Sequence, residues 1–322
     1  MKAIVYDRYG SADVLRYEEI PDPVPGEGEV LIRVRATSVN PYDWHWMRGT
    51  PFGLRFMTGL RKPKSRQLGV DVAGEVEAVG RGVTKLKAGD AVFGACKAAF
   101  AEYVCTREGA LVPKPANVTF NQAGCVAIAG FTAMQGLRDK ARLQAGQKIL
   151  INGAAGGVGT FAVQIAKWIG AEVTGVCSTR NVEMVRSIGA DHVVDYTRED
   201  FTRNGRRYDV VFDCIGNHSL RACRGALSPA GICAMPGGKS GRWVAPMPRF
   251  MAAMILSRFS SRKLVPVMAK WSQADLILIG ELMDTGKVTP VLDRSYPLRE
   301  VAAAVRYLEE GHARGKVVIT VG

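Results

Sequence analysis

Between Ile149 and Gly159 the chain reads Ile-Leu-Ile-Asn-Gly-Ala-Ala-Gly-Gly-Val-Gly, and few folds admit such a run. Lys148 to Ile151 is an apolar strand bounded by a turn. From Gly159 to Ile169, Phe161, Val163, Ile165, Ala166 and Ile169 recur at helical spacing. Ala154, Gly156 and Gly159 stand where the dinucleotide fingerprint has its three glycines. There the chain must turn sharply, bring its backbone close to a diphosphate and pack the helix tightly on the strand. The helix start beyond the loop offers free N–H groups and the positive end of a dipole to an anion. Ala154 departs from the strict pattern and predicts a slightly wider turn. Gly157 and Val158 complete the predicted cradle.

The residues beyond this helix fit a βαβ series. Strands are predicted at Glu172–Cys177, His192–Val194 and Asp209–Phe212, with a helix over Val182–Ile188. Strands alternating with helices imply a parallel, doubly wound α/β sheet. The second strand ends in Cys177-Ser178-Thr179-Arg180-Asn181 and carries no carboxylate. An acidic residue at that place holds the ribose 2′-hydroxyl of NAD. Ser178, Thr179 and Arg180 instead suit a 2′-phosphate by hydrogen bonding and charge. The expected cofactor is therefore NADPH.

The regions on either side differ. Val30 to Ala36 alternates apolar and polar residues, Val72–Val79 and Asp90–Phe93 look similar, and turns fall at residues 25–28 and 87–90. This reads as a small β-rich domain. The tail returns to that character: Ser272 is a plausible N-cap for a helix running to Met283, and residues 290–292 and 316–320 look like strands. The first domain is therefore expected to be discontinuous, 1–124 with 267–322, and the nucleotide-binding domain to be inserted as 125–266.

The chain has 322 residues and a formal net charge of +13. The basic residues are dispersed apart from clusters at 61–66 and 258–263, so nucleic acid is not an expected partner. The opening residues read as a strand and not as a secretory signal, and no window is long and apolar enough for a membrane span. The seven cysteines are scattered and odd in number, which suits a reducing, cytoplasmic setting. Residues 246–259 form a methionine-rich apolar helix candidate. It suits a greasy substrate pocket, a membrane surface, or packing at a domain or dimer interface.

Several motifs together resemble the quinone-oxidoreductase branch of the medium-chain dehydrogenases/reductases. They are Ser38-Val39-Asn40-Pro41-Tyr42-Asp43-Trp44, Gly69-Val70-Asp71-Val72-Ala73-Gly74, Val83 to Phe93, Ala129-Gly130-Phe131-Thr132-Ala133, the glycine loop, Gly189-Ala190-Asp191-His192-Val193, Asp213-Cys214-Ile215-Gly216 and Gly315-Lys316-Val317-Val318. The resemblance covers essentially the whole chain, and the tail from Tyr307 to Lys316 is most similar to the reticulon-interacting, quinone-reductase-like subgroup. It implies a GroES-like β domain joined to a Rossmann domain, with the active site in the cleft between them. It also implies roles. Asn40 and Thr132 contact the nicotinamide or substrate. Cys214, Ile215 and Gly216, with Pro236, Gly237 and Gly238, hold ribose and carboxamide. Tyr196 flanks the adenosine end, and Lys316 reaches the cofactor phosphates. Relatives commonly pair, so a homodimer is expected.

Zinc-dependent relatives use a cysteine, a histidine and a third ligand. Here those positions carry Asn40, Val70 and at most Cys125, and one thiol cannot hold zinc alone. The stretch matching the structural zinc loop, Phe93 to Tyr103, contains only Cys96. No metal is expected. Without a Lewis acid, alcohol oxidation is disfavoured, and hydride transfer suits small electrophilic acceptors: quinones or C=C bonds conjugated to a carbonyl. Enoyl thioesters and alkenals are alternative substrates, and an NADPH-binding regulator with little turnover is an alternative function. Tyr42 is the best candidate proton donor, with wall packing as its competing role; Asp43 caps a turn or orients neighbours.

Overall fold

The computed structural model describes residues 1–237, 247–258 and 260–322. The chain forms two compact units. The first is 1–128 with 271–286 and 290–322; the second is 129–270 with 287–289. The sequence places these divisions at 124 and 266, just ahead of the observed ones, and does not anticipate the short return of 287–289 to the second unit.

The first unit opens with β1 (Lys2–Val5) paired antiparallel to β2 (Arg16–Glu19). Then come β3 (Glu29–Val39), β4 (Asp71–Val79), β5 (Ala91–Ala95), β6 (Tyr103–Arg107) and β7 (Leu111–Pro113). In β3, Val30, Ile32, Val34 and Ala36 are buried while Arg33 and Arg35 are exposed, as the alternation predicts. The strand runs on through Thr37, Ser38 and Val39, all buried, because β15 covers its second half. Asn40 then caps the helix Pro41–Arg48, with proline at its first turn and Asp43 reaching back to the Asn40 N–H. Sequence periodicity does not show this helix.

The second unit carries β8 (Lys148–Asn152), β9 (Glu172–Cys177), β10 (His192–Asp195), β11 (Tyr208–Asp213), β12 (Leu227–Met235) and β13 (Lys263–Pro266). They form a parallel sheet in the order β10-β9-β8-β11-β12-β13. The winding reverses between β8 and β11, which pair in register from Ile149↔Val210 to Asn152↔Asp213. The helix Gly157–Ile169 buries Phe161, Val163, Ile165 and Ala166 and ends at Gly170 in the left-handed region. The methionine-rich segment is a helix over Met247–Arg258 with Met251, Met254 and Ile255 exposed. Residues 246 and 259 of that expected helix lie outside the described residues.

The chain closes the first unit with β14 (Leu292–Pro297) and β15 (Lys316–Thr320). Its larger sheet runs β14-β15-β3-β4-β5-β7, with β6 on β3. The strand expected at 290–292 starts only at Leu292. Residues 287–289 belong to the other unit, where Thr289 N–H donates to the Gln164 side chain. Ser272 caps the helix Gln273–Asp284, its hydroxyl accepting from Asp275 N–H as the sequence predicts. Among the described residues no helix is long and apolar enough to cross a membrane.

Candidate active site

In the second unit, the predicted nucleotide-binding residues gather at one edge. The glycine loop follows β8, Ser178–Arg180 follow β9, Tyr196 follows β10, Cys214–Gly216 follow β11, and Pro236 and Gly237 follow β12. All lie at the carboxyl ends of parallel strands, on either side of the β8/β11 reversal, which is where open α/β sheets bind ligands. Gly238 lies outside the described residues.

The loop is shaped by what it excludes. A Cβ on Gly159 would stand 2.0 Å from the Gly153 carbonyl oxygen, and one on Gly237 would stand 2.3 Å from that of Cys214. The left-handed residue is Gly153, at φ 86°, so the turn is made one position before Ala154. Ala154 is fully buried, and its Cβ fits because the sharp bend does not fall on it. Gly156 is the N-cap of the following helix, and the first N–H groups of that helix, from Gly157, have no intrahelical acceptors. This arrangement fits a dinucleotide diphosphate, which needs close backbone and free donors.

Polar residues to which the sequence reading gave no role hold these loops together. The buried Asp213 accepts from Asn152 Nδ2 at 2.8 Å, from Gly216 N–H at 2.9 Å and from Arg249 Nη2 at 3.1 Å. Thus one carboxylate ties the β8 end, the β11 loop and the methionine-rich helix. An acid terminating an apolar strand was the available signal. At the β9 end, Asn181 Nδ2 donates to Ser178 Oγ, and among the described residues nothing accepts the Ser178 proton. The Thr179 hydroxyl, expected to face a 2′-phosphate, donates instead to Asp195 at 2.6 Å. Sequence reasoning overlooks Asp195, which lies one strand over and is brought alongside by β10–β9 pairing. Tyr196 is 59% exposed beside it. Thr132 lies half-buried on the helix Ala127–Met134.

In the first unit a second cluster forms around Asp71, which is fully buried. Asp71 Oδ2 accepts from Ser38 Oγ at 2.6 Å, Asn40 Nδ2 at 2.9 Å and Lys316 Nζ at 3.2 Å, and Oδ1 accepts from Ile128 N–H at 2.9 Å. Lys316 also donates to Asn40 Oδ1 at 2.6 Å. This corrects the expectation for Lys316. Its side chain is 4% exposed and its ammonium is committed to Asp71 and Asn40 within the β domain, leaving no free charge for cofactor phosphates. The register of β15 on β3, Val317 opposite Val39, puts Lys316 there. Asn40 is likewise buried with both amide atoms engaged.

Asp43 is the turn-capping residue the sequence allows for. It accepts from Asn40 N–H at 2.8 Å and Gly69 N–H at 3.0 Å, inside the core. Burial pushes its carboxyl up to about 7, outweighing those two donors. The folded protein therefore keeps a proton that the unfolded chain, with an ordinary aspartate near 3.8, has released. Stability should fall as pH rises from about 4 to about 7 and then level off. Urea midpoints across that range should show the slope in the wild type, and Asp43→Asn should flatten it.

Tyr42 stacks on Trp46 with ring centroids 4.0 Å apart. Burial, with Asp43 adding to it, pushes its phenol up to about 12. It keeps its proton across the neutral range, so it is a hydrogen-bond donor more than an acid. Tyr42 lines a cavity of about 290 Å³ with Tyr6, Trp46, Leu68, Val70 and Lys97. Val70, which the resemblance sets at the histidine position of zinc-dependent relatives, is buried and offers no donor. The Cys125 thiol donates to the Gln122 carbonyl, and burial pushes it up to about 12. Among the described residues no group of three histidine, cysteine or acidic side chains suits a metal. The side chains at these positions do not fit zinc.

Comparison with known proteins agrees with this anatomy. Residues 26–116 match the alcohol dehydrogenase GroES-like domain, and residues 188–319 match a zinc-binding dehydrogenase domain, a description the donor set here does not meet. The chloroplast envelope quinone oxidoreductase homolog of Arabidopsis thaliana is 33% identical over 99% of this chain and 98% of its own length. The NADPH-dependent alkenal/one oxidoreductase of the same plant is 35% identical over 99% of this chain and 79% of its own. Among solved structures, the quinone oxidoreductase from Coxiella burnetii superposes with a TM-score of 0.89 at 29% identity, covering 100% of this chain and 99% of that one. With GroES-like and Rossmann-type units matched end to end, the chain belongs to the medium-chain dehydrogenase/reductase family, in its quinone oxidoreductase branch.

Proposed function

We propose that this chain is an NADPH-dependent oxidoreductase that transfers a hydride to a quinone or an α,β-unsaturated carbonyl without zinc. The reading is supported by the buried Asn40–Asp71–Lys316 cluster beside Val70, at positions the family resemblance matches to the metal ligands of zinc-dependent relatives. It leaves no ligand set to polarise an alcohol, so the acceptor must be electrophilic already. The second unit binds the nucleotide through the Gly153–Gly159 turn. Ser178 and Arg180 take the 2′-phosphate, and Tyr196 lies along the adenosine. Cys214–Gly216 with Pro236 and Gly237 hold the ribose and carboxamide. Thr132 contacts the nicotinamide or the acceptor, while Asn40, its amide committed to Asp71 and Lys316, holds that buried cluster in place. Bound NADPH supplies the hydride; the protein supplies alignment and a water-poor surface. The names of two relatives, a quinone oxidoreductase and an alkenal/one oxidoreductase, support the acceptor class.

The test is NADPH oxidation over quinones, enones, alkenals and enoyl thioesters. Turnover on the first two classes is expected. Turnover confined to enoyl thioesters would reassign the substrate, and tight NADPH binding without any turnover would make the chain a regulator. Arg180→Glu should weaken NADPH about tenfold or more and NADH far less, since it replaces a cation by an anion at the 2′-phosphate. Equal weakening would remove Arg180 from that role. The free cysteines fit a reducing compartment, which we take to be the cytoplasm. The exposed Met251, Met254 and Ile255 beside edge strand β13 support a homodimer, and sedimentation as a single copy would overturn it.

A further inference from the structure

Between Asp43 and Asp71 the chain carries no acidic residue, yet it carries Arg48, Arg55, Arg61, Lys62, Lys64 and Arg66. Arg48 pairs with Glu309 and Arg66 with Asp7, whereas among the described residues Arg61, Lys62 and Lys64 pair with no carboxylate. All three are exposed. The same stretch turns large apolar side chains outward: Phe56 is 78% exposed, Met57 71% and Leu60 63%. A single apolar side chain on a surface needs no account, but this group, flanked by unpaired cations, does. The backbone holds the group in place. Arg55 opens the helix Arg55–Thr58; it donates to the Gly49 carbonyl at 3.1 Å, and its guanidinium lies 4.5 Å from the Tyr9 ring centre and 4.8 Å from that of Phe52. Tyr9 donates to the Gly59 carbonyl at 2.7 Å. Lys64 N–H donates to the Thr58 carbonyl at 2.7 Å and so closes residues 58–64 into a loop. Thr58 and Pro63 are buried at its base, and Leu60, Arg61 and Lys62 are exposed on it. A Cβ on Gly59 would stand 2.1 Å from the Lys62 carbonyl oxygen, so the loop is tight.

We propose that residues 55–64 form a docking loop for the surface of an anionic lipid bilayer. Phe56, Met57 and Leu60 enter the boundary between headgroups and acyl chains, and Arg61, Lys62 and Lys64 meet the lipid phosphates and carboxylates. Apolar side chains set beside Lys and Arg are the composition of segments that lie on membranes without crossing them. The two kinds of side chain together select the partner. A nucleic acid meets the cations but offers Met57 and Leu60 no apolar phase, and an uncharged apolar face leaves the cations unmatched. An anionic bilayer matches both. Each Lys or Arg near such a surface contributes about fivefold in affinity, and an apolar side chain moved out of water contributes about tenfold or more. The formal net charge of +13 adds attraction at longer range. The assignment does not depend on the reductase reading, since neither cofactor nor hydride enters it.

The test is cosedimentation of the whole chain with vesicles, in the absence of NADPH. The wild type should pellet with vesicles of phosphatidylcholine and phosphatidylserine, stay in solution with phosphatidylcholine alone, and bind less as salt rises. Phe56→Ser combined with Leu60→Ser should weaken binding about tenfold or more. Replacing Arg61, Lys62 and Lys64 together by serine should weaken it about a hundredfold. Both variants should melt with the wild type, because the altered side chains are exposed. Replacing the exposed Lys140, Lys270 and Lys287 by serine removes the same charge elsewhere and should cost far less. In the unaltered chain, the anionic vesicles should also protect the Arg61–Lys62 bond from trypsin. A wild type that ignores the anionic vesicles would overturn the proposal, as would unchanged cleavage at Arg61. So would an apolar variant that binds like the wild type. If the distant lysine variant loses as much as the loop variant, the attraction belongs to net charge and the loop has no part in it.

Discussion

Gly159→Val should abolish useful nucleotide binding and destabilise the second unit by about 3 kcal/mol. The first atom of any side chain would stand 2.0 Å from the Gly153 carbonyl oxygen and 2.9 Å from the Ala154 backbone. Both neighbours are main chain, so neither can rotate away. Relief requires the helix Gly157–Ile169 to lift off β8, which moves its leading N–H groups away from the diphosphate. Losing about two hydrogen bonds to a charged group, at about 1.5–3 kcal/mol each, corresponds to about a hundredfold or more in affinity. Fluorescence titration with NADPH and a thermal melt check the two effects. Gly225→Ala is the control, because nothing lies within 4 Å of a Cβ there and its backbone is not left-handed. If Gly159→Val binds NADPH like that control, the diphosphate does not sit on this turn.

Lys316→Met should cost about 3–5 kcal/mol, because it leaves the fully buried Asp71 carboxylate without its cation. Ser38, Asn40 and the Ile128 N–H still donate to Asp71 but do not neutralise it. Asp71→Asn alone strands the ammonium instead. Combining Asp71→Asn with Lys316→Met removes both charges, so the double variant should recover most of the lost stability in urea titrations. A double loss equal to the sum of the two single losses would show that the pair does not act as a unit.

Local chemistry explains what the sequence discloses. The strand, glycine turn and helix between Lys148 and Ile169 are contiguous, and the cap at Ser272 needs only a partner three residues on. Each is decided by neighbours along the chain. The Asp71 cluster is different. Its contacts span 245 residues to Lys316, and the Asn40–Lys316 bond spans 276. They exist only because β15 and β4 flank β3 in particular registers, and periodicity carries no information about such pairing. Motif matching therefore sends Lys316 to the phosphates when it serves a buried carboxylate. Thr179 is misplaced for the same reason, since Asp195 reaches it across a strand pair.

The passage of the chain out of the first unit and back has a consequence for synthesis. Residues 129–270 are nearly the whole second unit and are contiguous, so its parallel sheet has every strand as soon as β13 has left the ribosome. The first unit must wait. Until β15 is translated, the second half of β3, from Ala36 to Val39, has no partner on that side, and Asp71 has no counter-charge. A nascent chain therefore carries an open, hydrogen-bond-hungry strand edge through most of its elongation, and that interval is when it depends most on protection from aggregation.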